Sequence, residues 1–246
     1  MTVSGSDLMA LERRVRVAAR TLAAHGLVQA WGHCSARIDD ESFLVCAAKP
    51  MGRIEVGEPG TIVSIEGPLP AGVLGEVRIH QQIYRHRSDV RGVCRVFPPN
   101  TVALSTLKIV PRPRHGVGAF NAACRFWDDV RLLRDDGLAA ELAATLGDAP
   151  SLVMRSNGAV TVGPSLELAV GFAWCLEDAA RVETLVRSVS STLDLSNAGL
   201  TLEEIEQRQV SSGAVFERLW NFLAAADPEA HAGDEEFPSP NWGTLP

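Results

Sequence analysis

The stretch that most constrains this chain is 151–163, where two short runs rich in apolar and β-branched residues flank Ser156-Asn157-Gly158. Polar turn-formers ending in glycine at the middle of such a run specify a β-hairpin. Pro164 follows at once, and apolar residues then recur at helical spacing from 165 to about 190. Proline suits a helix start, where its missing N–H would have had no partner anyway. A hairpin that runs straight into so long a helix must pack that helix on the sheet it has just built. Antiparallel strands covered by helices are therefore expected.

The rest of the chain fits this plan. Residues 8–25 carry Leu8, Leu11, Val15, Ala18, Ala19 and Leu22 at helical spacing, with Ser6 or Asp7 as a cap and Gly26 as a stop. Alternating runs at 32–38 and 42–47, joined by Asp39-Asp40-Glu41, read as strands, as does Thr61 to Ile65. Residues 75–87 read as a helix, and Val90 to Phe97 as a buried strand stopped by Pro98-Pro99. Short helices are expected at 100–107 and 138–146, and a longer one over 202–225. No internal repeat or interdomain linker interrupts the order, so one domain over 1–226 is expected. The Pro/Gly/acidic tail 227–246 contains Phe237 and Trp242, which favour docking on a surface over solvation.

Composition narrows the function classes. Of the 246 residues, 46% are hydrophobic and 22% charged, enough apolar material for a full core. The net charge of −7 argues against general nucleic-acid or membrane-surface binding, both of which need a basic face. No run reaches the roughly 18–20 apolar residues of a membrane span, and the polar N-terminus lacks a signal-peptide core. Cys34, Cys46, Cys94, Cys124 and Cys175 are scattered and odd in number, as reduced packing thiols are. A cytoplasmic location is expected.

Several separated segments together resemble the class II aldolase/adducin family, in that family's order. They are Gly32-His33-Cys34-Ser35-Ala36-Arg37, Gly75-Glu76-Val77-Arg78-Ile79-His80, and Pro98-Pro99 followed by Ala103-Leu104-Ser105. Arg155-Ser156-Asn157-Gly158 and Leu176-Glu177-Asp178-Ala179-Ala180-Arg181 continue the series. Arg114-His115-Gly116-Val117-Gly118-Ala119-Phe120 and Asp128-Asp129-Val130-Arg131-Leu132 resemble the branch that contains aromatic-acid decarboxylases. The resemblance implies a three-layer α/β/α sandwich around a mainly antiparallel mixed sheet. It also implies a homo-oligomer, a tetramer by resemblance, and lyase or isomerase chemistry on a small-molecule substrate, usually with a divalent metal.

The metal is where this sequence departs. The positions of the family's three histidine ligands carry Arg95, Phe97 and Asn157. A guanidinium and a phenyl ring offer no lone pair, and an amide oxygen suits zinc poorly. No cofactor is therefore expected in the usual place. A metal relocated to His33, His80 and His115 is an alternative, although these lack a tight ligand spacing. The phosphate loops of the family's sugar-phosphate aldolases read Ala48-Lys49-Pro50-Met51-Gly52-Arg53 and Pro70-Ala71-Gly72-Val73-Leu74-Gly75 here, without a hydroxyl.

What remains suits anionic intermediates. Glu76, at the position of the family's catalytic glutamate, is the candidate proton-transfer group, against a structural reading as a helix N-terminal carboxylate. Arg95 is a permanent cation that can hold an oxyanion, or else a partner in a structural ion pair. His115 is the candidate to donate a proton or to orient a substrate oxygen. His33, Lys49, Arg53, His80, Phe97 and Asn157 are candidate substrate contacts; His80, four residues after Glu76, shares its face on a regular helix. Asn157 is also a hairpin residue that tolerates positive φ. The expected activity is a metal-independent decarboxylation, dehydration or retro-aldol cleavage of a small carboxylate or planar oxygenated compound. The alternative is a non-catalytic scaffold like adducin's own domain.

Overall fold

The structure is a computed structural model and describes residues 5–189, 194–195, 198–230 and 243. It opens with helix α1 (Gly5–Ala24), whose buried stripe runs through Val15, Ala18, Ala19 and Leu22. Strands β1 (His33–Arg37), β2 (Ser42–Val45) and β3 (Thr61–Ser64) form an antiparallel meander. A 3-10 turn (Gly75–Val77) leads into α2 (Arg78–His86), so the expected helix over 75–87 changes type just after Glu76. Then come β4 (Gly92–Val96), α3 (Pro99–Thr106), β5 (Arg125–Trp127) and α4 (Asp136–Leu146). Asp135 caps α4 by accepting a hydrogen bond from the Leu138 amide. The hairpin β6 (Ser151–Met154) and β7 (Ala159–Gly163) precedes α5 (Leu166–Val189), as the sequence requires.

The sheet order is β3-β2-β1-β4-β7-β6-β5, antiparallel throughout except for the edge pair β5–β6. Strand alternation sorts residues to its two faces. Cys34, Ala36, Cys94 and Val96 join the core beneath α1 and α5, whereas Val93, Val160 and Val162 join the core beneath α2 and α4. Helices thus cover both faces of a mixed sheet. Burying each large apolar side chain in these cores is worth about 1.5–3 kcal/mol. All five cysteines are buried free thiols.

Two expectations change. The helix expected over 202–225 is two helices, α6 (Leu202–Arg208) and α7 (Val215–Ala224). Gly213 and Ala214 between them have φ of 78° and 52°, and a right-handed helix cannot pass through two left-handed residues. In the 151–163 hairpin, positive φ falls on Ser156 (57°) and Gly158 (76°), not on Asn157. Phe237 and Trp242 lie outside the described residues. The start of the tail is nevertheless fixed: Arg20 forms a bidentate pair with Asp227, and Arg16 and Arg20 both bind Glu229. Among the described residues, no helix is long and apolar enough to cross a membrane.

Candidate active site

β1 and β4 run side by side at the sheet centre, and His33 pairs with Arg95 across them. Alternation turns both side chains toward the α2 face. There the 3-10 turn before α2 brings Glu76 over the strand ends, and Glu76 Oε2 lies 3.4 Å from Arg95 Nε. The Arg95 guanidinium carbon sits 4.1 Å from the centroid of the Phe97 ring, a cation–π contact. The β6–β7 turn closes in from the other side. A Cβ at Gly158 would fall 2.1 Å from the Val96 carbonyl oxygen and 2.9 Å from Arg95 Nη1, so only glycine lets the turn come this close.

Above these groups opens a cleft of about 610 Å³ whose lining includes His33, Lys49, Glu76, Phe97, Asn157 and Arg134. Sequence reasoning thus placed five of its candidates around one opening. Trp31, Leu74 and Leu132 add apolar wall at the rim. Lys49 is paired with Glu58 at 2.8 Å. Arg134, packed against Gly75, has no ion-pair partner among the described residues. Neither Arg134 nor Trp31 was singled out from the sequence. Arg134 follows a segment quoted only for its resemblance, and its role emerges when the 128–134 loop folds back beside Gly75.

The buried layer behind the lining is electrostatically unusual. Arg95 is fully buried, and only Nη1 makes a hydrogen bond, to the Val96 carbonyl at 3.0 Å. Its Nε and Nη2 have no hydrogen-bond partner, and neither has His33 Nε2. Burial lowers the Arg95 pKa to about 10, against the pull of Glu76, so the group stays charged at neutral pH. Burial, and then the Arg95 charge, hold His33 neutral with a pKa of about 3.

Four candidates are not part of the lining, Arg95 among them, which is buried behind it. His80 does not line the cleft: α2 turns it inward, where it is fully buried behind His33 and bonds to it at 2.8 Å. The 3-10 turn breaks the regular helix that would have placed it beside Glu76. Arg53 is exposed on the turn Met51–Arg53 and is not part of the cleft lining. His115 is also outside the lining; its Nε2 bonds Asp178 of α5 at 2.8 Å. The relocated set of three histidines is therefore not assembled.

The family's metal does not fit these residues. Arg95 fills the space among His33, Glu76 and Phe97, and its guanidinium has no lone pair to offer. Among the described residues, no three of His, Cys, Asp and Glu gather to hold an ion.

A helix-covered, mainly antiparallel sheet with a cleft at the ends of its central strands is the architecture of class II aldolases. Residues 13–184 match the profile described as the class II aldolase and adducin N-terminal domain, and the chain belongs to that family. The solved aldolase II superfamily protein from Pseudomonas syringae superposes with a TM-score of 0.73 at 25% identity, over 91% of this chain and 93% of that one. L-fuculose 1-phosphate aldolase from Glaciozyma antarctica PI12 gives 0.71 at 19% identity, over 92% and 90% of the two chains, a likeness of fold. In sequence, 3,4-dihydroxyphthalate decarboxylase from Terrabacter sp. (strain DBF63) is 30% identical over 196 residues, 70% of this chain and 80% of its own length. The enzyme of the same name from Rhodococcus jostii (strain RHA1) is 28% identical over 203 residues, 75% and 84% of the two chains. These relatives support the expectation of a lyase and of the decarboxylase branch.

Proposed function

We propose that this chain decarboxylates a hydroxylated aromatic carboxylate, with Arg95 in place of a divalent metal. One observation carries the reading: directly behind the lining residues Glu76 and Phe97, two buried Arg95 nitrogens have no hydrogen-bond partner. Each such unmade bond costs about 1–3 kcal/mol, a penalty that an anionic ligand relieves. The cleft is open rather than plugged, which favours an enzyme over a scaffold.

The lining suits a flat anion. Phe97, Leu74 and Leu132 provide apolar walls and Arg134 a cation at the rim, while Arg95 lies buried behind the lining residues Glu76 and Phe97. An aromatic ring with two carboxylates, like the substrate in the relatives' name, matches that pattern, and the volume lies within the usual range of small-molecule sites. Loss of CO2 breaks the bond between a ring carbon and its carboxylate. The pair of that bond lies in the ring plane and cannot reach an oxygen substituent directly, so Glu76 first delivers a solvent-derived proton to the carbon as a ring oxyanion becomes a carbonyl. When CO2 leaves, the bond pair flows back to that oxygen, and Arg95 stabilises its negative charge. Carboxylate and proton become C–H and CO2.

The test is CO2 release from 3,4-dihydroxyphthalate. The wild type is expected to release it, exhaustive chelation is expected to change nothing, and Glu76→Gln is expected to slow it by about 10²–10⁴-fold. Absence of release, full turnover in Glu76→Gln, or a requirement for an added divalent ion would overturn the reading.

A further inference from the structure

Behind the cleft runs a buried polar chain that the proposed chemistry does not use. His33 Nδ1 lies 2.8 Å from His80 Nε2, and His80 Nδ1 lies 2.6 Å from Ser35 Oγ. Ser35 Oγ in turn lies 2.9 Å from Tyr84 Oη, and Tyr84 Oη–H donates to the Ser35 carbonyl at 3.0 Å. All four side chains are buried. We infer that this chain locks His33 in one tautomer, with Nδ1 protonated and Nε2 bare, so that His33 accepts a hydrogen bond from a hydroxyl group of the substrate.

The direction follows from counting protons. Tyr84 has one, and it goes to the Ser35 carbonyl. The Ser35 hydroxyl must then donate to Tyr84 Oη, which leaves its oxygen to accept from His80 Nδ1–H. A neutral His80 consequently has a bare Nε2 and accepts from His33 Nδ1–H. A neutral His33 is left with a lone pair on Nε2, the atom that has no partner within the protein. Reversing the chain would sacrifice the bond from Tyr84 to the carbonyl. Both rings stay neutral, because burial lowers the pKa of each and nearby Arg95 lowers it further. Burial likewise raises the Tyr84 pKa, which keeps its proton in place.

The site thereby separates its tasks. Arg95 and Arg134 meet anionic oxygens, while His33, as an acceptor beside a cation, selects an oxygen that still carries hydrogen. That selection favours a hydroxylated aromatic acid over the plain acid; this part rests on the decarboxylase reading, and the tautomer does not. His80, Ser35 and Tyr84 are positioning residues that act through His33.

Nitrogen-15 NMR of histidine-labelled full-length protein at neutral pH tests the tautomer, with His33 assigned by comparison with His33→Gln. The expected spectrum shows His33 Nε2 as an unprotonated nitrogen and Nδ1 as a protonated one; a protonated Nε2 overturns the inference. Tyr84→Phe keeps the ring and removes the hydroxyl. The only close acceptor left to Ser35 Oγ–H is His80 Nδ1, so the whole chain should reverse and His33 Nε2 should gain the proton. An unchanged His33 signature in folded Tyr84→Phe refutes control by Tyr84, and if that variant fails to fold the wild-type spectrum still decides. By calorimetry, the variant should lose about tenfold of the preference for 3,4-dihydroxyphthalate over phthalate, with phthalate binding unchanged. Equal weakening of both ligands would mark the chain as merely structural. Because the nitrogen shifts report the tautomer without any turnover, their outcome is separable from that of the CO2 assay.

Discussion

Arg37 and Arg95 occupy opposite ends of the same face of the β1–β4 pair, and the fold treats them differently. Both are buried, and burial lowers the pKa of both. Arg37 spends its fork on backbone: Nε donates to the Val90 carbonyl at 2.9 Å, and Nη2 to those of Tyr84 and Arg87 at 2.5 and 3.0 Å. Nη1 reaches the Asp39 carbonyl at 3.4 Å. Arg95 has one hydrogen bond, a skewed ion pair through Nε and an aromatic face, with neither Nε nor Nη2 hydrogen-bonded. A buried cation with filled donors is part of the scaffold, and the role proposed for Arg95 rests on its having donors to spare. The difference is invisible in residue type and burial alone; it lies in the hydrogen bonds.

Substitution should separate the two. Arg37→Met strips donors from several buried carbonyls and is expected to destabilise the protein by about 3–5 kcal/mol in denaturant titration. Arg95→Met should leave stability unchanged or raise it, since it removes a charge that is poorly compensated without ligand. Its expected effect is on catalysis, a loss of about 10²–10³-fold in kcat/KM for decarboxylation. If Arg95→Met unfolds the protein as readily as Arg37→Met, the contrast fails and Arg95 is structural. A smaller effect comes from the clasp that holds the start of the tail on α1. The bonds from Arg16, with those from Arg20, hold the Glu229 pKa down to about 2. A carboxylate with a depressed folded pKa stabilises above its unfolded value of 4.5, and that contribution is lost as pH falls toward 2. Glu229→Gln should therefore cost about 2–3 kcal/mol near neutral pH and little near pH 2, as thermal melts across that range would show.

Much of this was legible beforehand. The β6–β7 hairpin and α5 followed from alternation, turn chemistry and helical spacing, because local backbone preferences and one-sided burial set those elements directly. The spread of His33, Glu76, Arg95, Phe97 and Asn157 over distant segments gave no hint of proximity by itself; the family resemblance supplied it. The parallel edge strand β5 was missed because three residues, Arg125-Phe126-Trp127, are too few to show a period. The break between α6 and α7 did have a signal, Ser211-Ser212-Gly213, which the surrounding apolar spacing masked.

By itself, the sequence determined the alternation of strands and helices and the residue types available to the site, since side-chain chemistry and chain periodicity are properties of residues in order. Only the tertiary structure decided that His80 stands behind His33, that His115 belongs to Asp178, and that Arg134 reaches the cleft. Those outcomes depend on where α2, α5 and the 128–134 loop pack. Packing is settled by contacts between segments far apart in the chain, which no local pattern encodes.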